Sequence, residues 1–191
     1  MRIPDHFEKV IVFLFACSIF WTLSGCDSSQ KHQSPQEQAE GYYWYEAVFL
    51  DKEAVEKAFR TVSDNYPKYE FIPDHFHVTT QFKPERKNED LYGSSVAVHI
   101  IGYASGSVQD LQENTTSDNE GLLVELSSTD ERMQALIDSC DKIWHITGSY
   151  SVGAKYTEQL DFSNGTPINL TIEGIFGIAD SDGNVTLEQP G

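Results

Sequence analysis

Residues 129–151 read Thr-Asp-Glu-Arg-Met-Gln-Ala-Leu-Ile-Asp-Ser-Cys-Asp-Lys-Ile-Trp-His145-Ile-Thr147-Gly-Ser-Tyr-Ser. Met133, Leu136, Ile137 and Cys140 recur at the i, i+3, i+4, i+7 spacing of an amphipathic helix. Thr129 is the expected cap. After a short connection the period changes to two, and His145 and Thr147 fall on one face of a strand. By the same alternation Ser149 and Ser151 join that face, opposite Ile146 and Gly148.

The same sentence occurs earlier in the chain. Asp51 is a plausible cap, Val55, Ala58, Phe59 and Val62 make a helical stripe, and a strand opens His77-Val78-Thr79. The two stripes superpose: 78 positions separate Val55 from Met133 and Val62 from Cys140. Each helix is preceded by a strand, residues 43–50 and 122–126, rich in aromatic and branched residues. Each His-x-Thr strand is followed by another apolar strand, residues 96–104 and 169–179. These end in Gly102-Tyr103-Ala104 and Gly177-Ile178-Ala179. The expected fold is therefore α+β, duplicated and two-lobed, each half strand-helix-strand-strand, with antiparallel-rich sheets lining a central cleft. The polar run 114–120 is the expected hinge between halves.

Outward from this domain the composition changes. Residues 27–40 lack any large apolar residue and are rich in Ser and Gln, as a disordered tether is. Val10 to Trp21 is an apolar run too short for a bilayer-spanning helix. It follows Arg2 and Lys9 and ends in Ser24-Gly25, the layout of a secretory signal. The expected organisation is a signal peptide over 1–25, a lipidated cysteine and tether over 26–40, and a folded domain over 41–191. Leu23-Ser24-Gly25-Cys26 resembles the lipobox of bacterial lipoproteins. That resemblance implies cleavage before Cys26, lipid on its thiol, and anchoring to the outer face of a bacterial membrane in the cell envelope. Cys140 is then the only other cysteine of the mature chain, and no internal disulfide is available to it.

The net charge of −17, from 13 basic and 30 acidic residues, speaks against long nucleic acid as a partner. A small phosphorylated ligand needs only local positive charge and remains compatible. His77, Thr79, Gln81 and Lys83 share one strand face, and His145 and Thr147 share another. A polar face on a strand of an apolar domain suits the lining of a site. His75-x-His77 lacks an evident third ligand, so no metal site is expected. His99, inside an apolar strand, reads as a packed residue, and Trp44 and Tyr45 as packing of the first strand.

Two His-x-Thr motifs, 68 residues apart, each on a strand after a helix, resemble the 2H phosphoesterase superfamily. It includes RNA 2′,3′-cyclic phosphodiesterases, also called 2′-5′ RNA ligase-like proteins. The resemblance spans about residues 42–188. It implies hydrolysis of 2′,3′-cyclic phosphates of nucleotides or short oligonucleotides without metal or other cofactor. His77 and His145 would be the acid and base, a task suited to side chains titrating near neutrality. Thr79 and Thr147 would donate to non-bridging phosphate oxygens. Lys83 adds positive charge on the first face; Lys155 is a weaker candidate. The chain departs from the family in having Thr80 and Gly148 where apolar residues are common, and only Arg86 near a motif. The expected partner is a small phosphorylated nucleotide or a short RNA end, bound by a monomer. The competing expectation is a non-catalytic, lipid-anchored module that holds a phosphorylated ligand or an envelope protein.

Overall fold

A computed structural model describes residues 44–110, 115–151 and 157–189. The signal, Cys26, the tether, Tyr43 and Lys155 lie outside the described residues. Among the described residues, no helix is long and apolar enough to cross a membrane.

Among the described residues seven strands and two helices follow one another as β1 (Tyr45–Leu50), α1 (Lys52–Arg60), β2 (His77–Phe82), β3 (Ser95–Asp110), β4 (Thr115–Ser127), α2 (Glu131–Asp138), β5 (His145–Tyr150), β6 (Thr166–Ala179) and β7 (Val185–Thr186). The chain is thus mixed α and β, and every strand pairing is antiparallel. The sheet order is β2-β1-β6-β3-β4-β5, with β7 paired to β6.

Each helix forms where its stripe and cap agree. The Asp51 carboxylate accepts from the Ala54 N–H at 2.8 Å. Glu53 in the first turn and Lys57 and Arg60 in the last complement the helix dipole. α2 is capped by Asp130 rather than Thr129, one residue later than its sequence suggests. The Asp130 carboxylate takes two orphan N–H groups, of Arg132 and Met133, which a threonine hydroxyl does less well. Val55, Ala58 and Phe59 of α1 and Met133 and Ile137 of α2 share one buried cluster with Val48, Val78, Val98, Leu122, Ile146 and Phe176 from the sheet. Burial of these side chains is worth roughly 1.5–3 kcal/mol each before chain entropy is counted. Cys140, which is in no disulfide, is buried at the end of the α2 stripe.

Residues 115–120 are strand, not hinge: they pair with 105–110 and extend β3 and β4 into a long hairpin. Their polarity misleads because it is consumed inside the fold. Ser117, Asn119 and Glu120 are all buried. Asn119 donates to the Ser117 carbonyl and hydroxyl, and Glu120 accepts from Tyr103 and Ser149.

The two outer strands of the sheet approach each other. β2 and β5 have Cα atoms within 8 Å of one another. Just before β2, Phe71 makes an antiparallel bridge with Tyr150, the last residue of β5, through two hydrogen bonds of 3.0 and 2.9 Å.

Candidate functional site

β2 and β5 carry the two His-x-Thr motifs. On β2, Val78 is buried on the helix side and His77 and Thr79 are half-buried on the other; Thr80 is buried too, its hydroxyl donating to the Glu46 carbonyl. The His77 ring lies 4.9 Å from that of Tyr45 and 6.0 Å from that of Phe49, its cross-strand partner. On β5, Ile146 and Gly148 face the helices, and His145 and Thr147 are half-buried on the other side. All four candidate side chains therefore project from the same face of one sheet, on the two strands that meet.

Both histidines are held by the same local device. His77 Nδ1 donates to the His75 carbonyl at 2.9 Å, and His145 Nδ1 to the Ile143 carbonyl at 3.4 Å. A carbonyl only accepts, so each neutral ring carries its proton on Nδ1 and its lone pair on Nε2. The His75 carbonyl thus fixes the His77 ring. Among the described residues no cluster of His, Cys, Asp or Glu is able to hold a metal ion.

His145 is three-quarters shielded, its side chain 25% exposed. Burial pushes its pKa down to about 4, with Lys142 adding to the depression and the Ile143 carbonyl opposing it. The ring is therefore neutral at pH 7.

Both strands bulge just past the threonine. The register against β1 shifts so that Thr80 is the extra residue, and that against β4 so that Gly148 is. The second bulge reverses the strand face. Ser149, expected beside His145 and Thr147, is fully buried and donates to Glu120. Ser151 is also diverted, its hydroxyl accepting from the Asp118 N–H. At the first bulge the Thr80 carbonyl, released from the ladder, accepts from Lys142 Nζ at 2.6 Å. A buried glutamate stands at each bulge. Glu46 accepts from Asn88 and Tyr92, and Glu120 from Tyr103, Ser149 and the Lys68 N–H.

Lys83 follows β2 with a left-handed φ of 47° and its ammonium 5.8 Å from the Phe82 ring. It is exposed. His99 bonds Thr171 and Ser127 at 2.9 Å each, in the middle of the sheet.

Two residues not expected from the sequence complete the β5 side. A 3₁₀ turn over Thr157–Gln159 places buried Thr157 with its hydroxyl donating to Thr147 Oγ1 at 3.0 Å. Thr147 then keeps its own proton free to donate. The next residue, Glu158, has Oε2 3.9 Å from His145 Nε2. Gly121 makes room for this turn: a Cβ there would overlap Thr157 Cγ2. The only sequence hint was Gly121 itself, a glycine inside a strand, which marks close approach of another segment.

No family model, curated protein or solved structure matches the chain.

Proposed function

We propose that this chain is a metal-independent phosphodiesterase that hydrolyses 2′,3′-cyclic phosphates of nucleotides or short oligonucleotides. The observation that carries the reading is the matched pair of histidines. Each lies on a strand at one end of the sheet order, each has Nδ1 tied to the carbonyl two residues before it, and each has a threonine two residues on.

In this reading His145, neutral at pH 7, accepts a proton from water at Nε2 as the water oxygen attacks phosphorus. The bond from phosphorus to one ribose oxygen breaks, and protonated His77 gives that oxygen its proton. One water is consumed and one monoester forms; solvent exchange restores both rings. Thr79 and Thr147 donate to the non-bridging oxygens, where charge grows in the transition state. Lys83 supplies long-range positive charge from the strand end.

Several features support one shared substrate groove between two related halves. The sheet order β2-β1-β6-β3-β4-β5 reads the same from its far end if β1 is exchanged with β4, β2 with β5 and β3 with β6. The bulges at Thr80 and Gly148 each fall three residues past the histidine, and each has its own buried glutamate. The two motif strands are also joined directly, by the Phe71–Tyr150 bridge and by the bond from Lys142 Nζ to the Thr80 carbonyl. The proposal extends to location, where Leu23-Ser24-Gly25-Cys26 supports export and a lipid anchor, and takes the protein to act as a monomer on small nucleotides or RNA ends.

The test is incubation of the full chain with 2′,3′-cyclic AMP in EDTA. Monoester should form, and His77→Ala and His145→Ala should each suppress it. A folded wild-type protein that binds the nucleotide without turnover would leave a binding module in place of the enzyme.

A further inference from the structure

We propose that Glu158 is a charge-selecting residue of this site: its carboxylate admits the singly charged cyclic phosphodiester and turns away the more highly charged monoester. The inference rests on the phosphodiesterase reading and adds a specificity determinant to it.

The geometry starts from His145. Its Nδ1 is engaged by the Ile143 carbonyl, so Nε2 is the atom left for substrate. Glu158 Oε2 lies 3.9 Å from that same Nε2. A phosphate whose attacking water is bonded to Nε2 must sit within a few ångströms of it, and hence within about one screening length of the Glu158 charge. A phosphodiester carries one negative charge at neutral pH. A phosphomonoester, with a second pKa near 6, carries about −1.5 to −2 at pH 7. The extra charge is the difference a neighbouring carboxylate reads most directly.

Three further observations fit a placed carboxylate rather than a passing surface side chain. Glu158 is in a short 3₁₀ turn whose preceding residue, Thr157, is fully buried and bonded to Thr147. Gly121, beneath the turn, leaves no room for a Cβ. The Glu158 side chain is only 36% exposed. The consequence is directional: the substrate enters with one charge, the product acquires a second, and Glu158 favours its departure.

The experiment compares two probes, 2′,3′-cyclic AMP and adenosine 3′-monophosphate, on wild type, Glu158→Gln and Glu158→Asp of the full chain. The readout is the inhibition constant of the monoester divided by the KM of the cyclic ester. In Glu158→Gln this ratio should fall on the order of tenfold, through tighter monoester binding, the size of effect one nearby unit charge exerts on a partly exposed site. Glu158→Asp should retain most of the wild-type ratio. An unchanged ratio, or equal tightening of both ligands, overturns the proposal. If wild type binds both nucleotides but turns over neither, the enzyme reading fails while the ratio of their calorimetric Kd values decides the role of Glu158 by the same criterion. If neither nucleotide binds, both readings fall.

Discussion

The Lys142 ammonium and the Thr80 carbonyl, 2.6 Å apart, tie the approach to β5 onto the bulge of β2. The bulge releases the carbonyl from its ladder partner, and the lysine, whose ammonium also lies 4.8 Å from the Trp144 ring, satisfies it. The two motif strands are thus latched at one end by Lys142 and at the other by the Phe71–Tyr150 bridge.

Removing that latch has two measurable consequences. Lys142→Met leaves a part-buried carbonyl without its charged donor and should cost about 1–3 kcal/mol in denaturant unfolding. It also removes a positive charge that depresses the His145 pKa. The His145 titration, followed by NMR of the ring protons, should therefore move upward. A downward or absent shift contradicts the proximity of the two groups.

Gly148 is where α1 rests on β5. A Cβ built there would overlap the Phe59 ring, which is already stacked on Tyr66 at 4.7 Å and edge-on to Tyr103 at 6.3 Å. Gly148→Ala should destabilise by about 1–3 kcal/mol through overpacking. Phe59→Leu in the same chain should recover part of the loss by opening space; independent, additive effects of the two changes would refute the contact.

The elements best written in the sequence are those set by neighbours along the chain. The stripes Val55–Phe59 and Met133–Ile137, the Asp51 cap and the strand identity of both His-x-Thr segments depend on local spacing, and the fold contains them. What local spacing misses is register. The bulge at Gly148 arises from pairing with β4, and it turns Ser149 from an expected site residue into a buried donor to Glu120. Residues 115–120 look like a hinge because nothing nearby in sequence reveals that Tyr103, Ser149 and Lys68 satisfy Glu120. Glu158 stayed unseen for the same reason: a turn, not a strand period, carries it to His145.

The depressed His145 pKa also makes a statement about stability. The unfolded chain protonates this residue near 6.5, whereas the folded protein resists until about 4. Between those values the unfolded state binds more protons, so stability falls as pH drops through this window and is fully present above it. The slope from this group is at most about 1.4 kcal/mol per pH unit, about 3 kcal/mol across the window. Urea midpoints measured from pH 7.5 to 4 should show this loss, and His145→Gln should flatten the part that belongs to the residue.

Export is checked at Cys26. Intact-mass and N-terminal analysis of the membrane-extracted protein should find a mature N-terminus at Cys26 carrying acyl mass. Cys26→Ser should release or mislocalise the protein, since anchoring of this kind comes from the acyl chains. A mature N-terminus elsewhere, without added mass, would refute lipidation.

The sharpest prediction concerns the two histidines together. If His145 and His77 act as base and acid, the rate should be bell-shaped in pH, with its acid limb near the His145 pKa of about 4. Each single alanine variant should lose roughly 10²–10⁴-fold in turnover. The double variant should be little worse than either, because an acid and a base serving one displacement act as a unit. Thr147→Val should cost less than His145→Ala, since it removes one hydroxyl donor and keeps the shape. Thr157→Val should weaken catalysis only through Thr147, so it should add little once Thr147 is already valine. Chelators should change none of these rates. A His77→Ala enzyme with wild-type turnover would break the pairing at once, and an effect of Thr157→Val undiminished in the Thr147→Val background would break the hydroxyl relay.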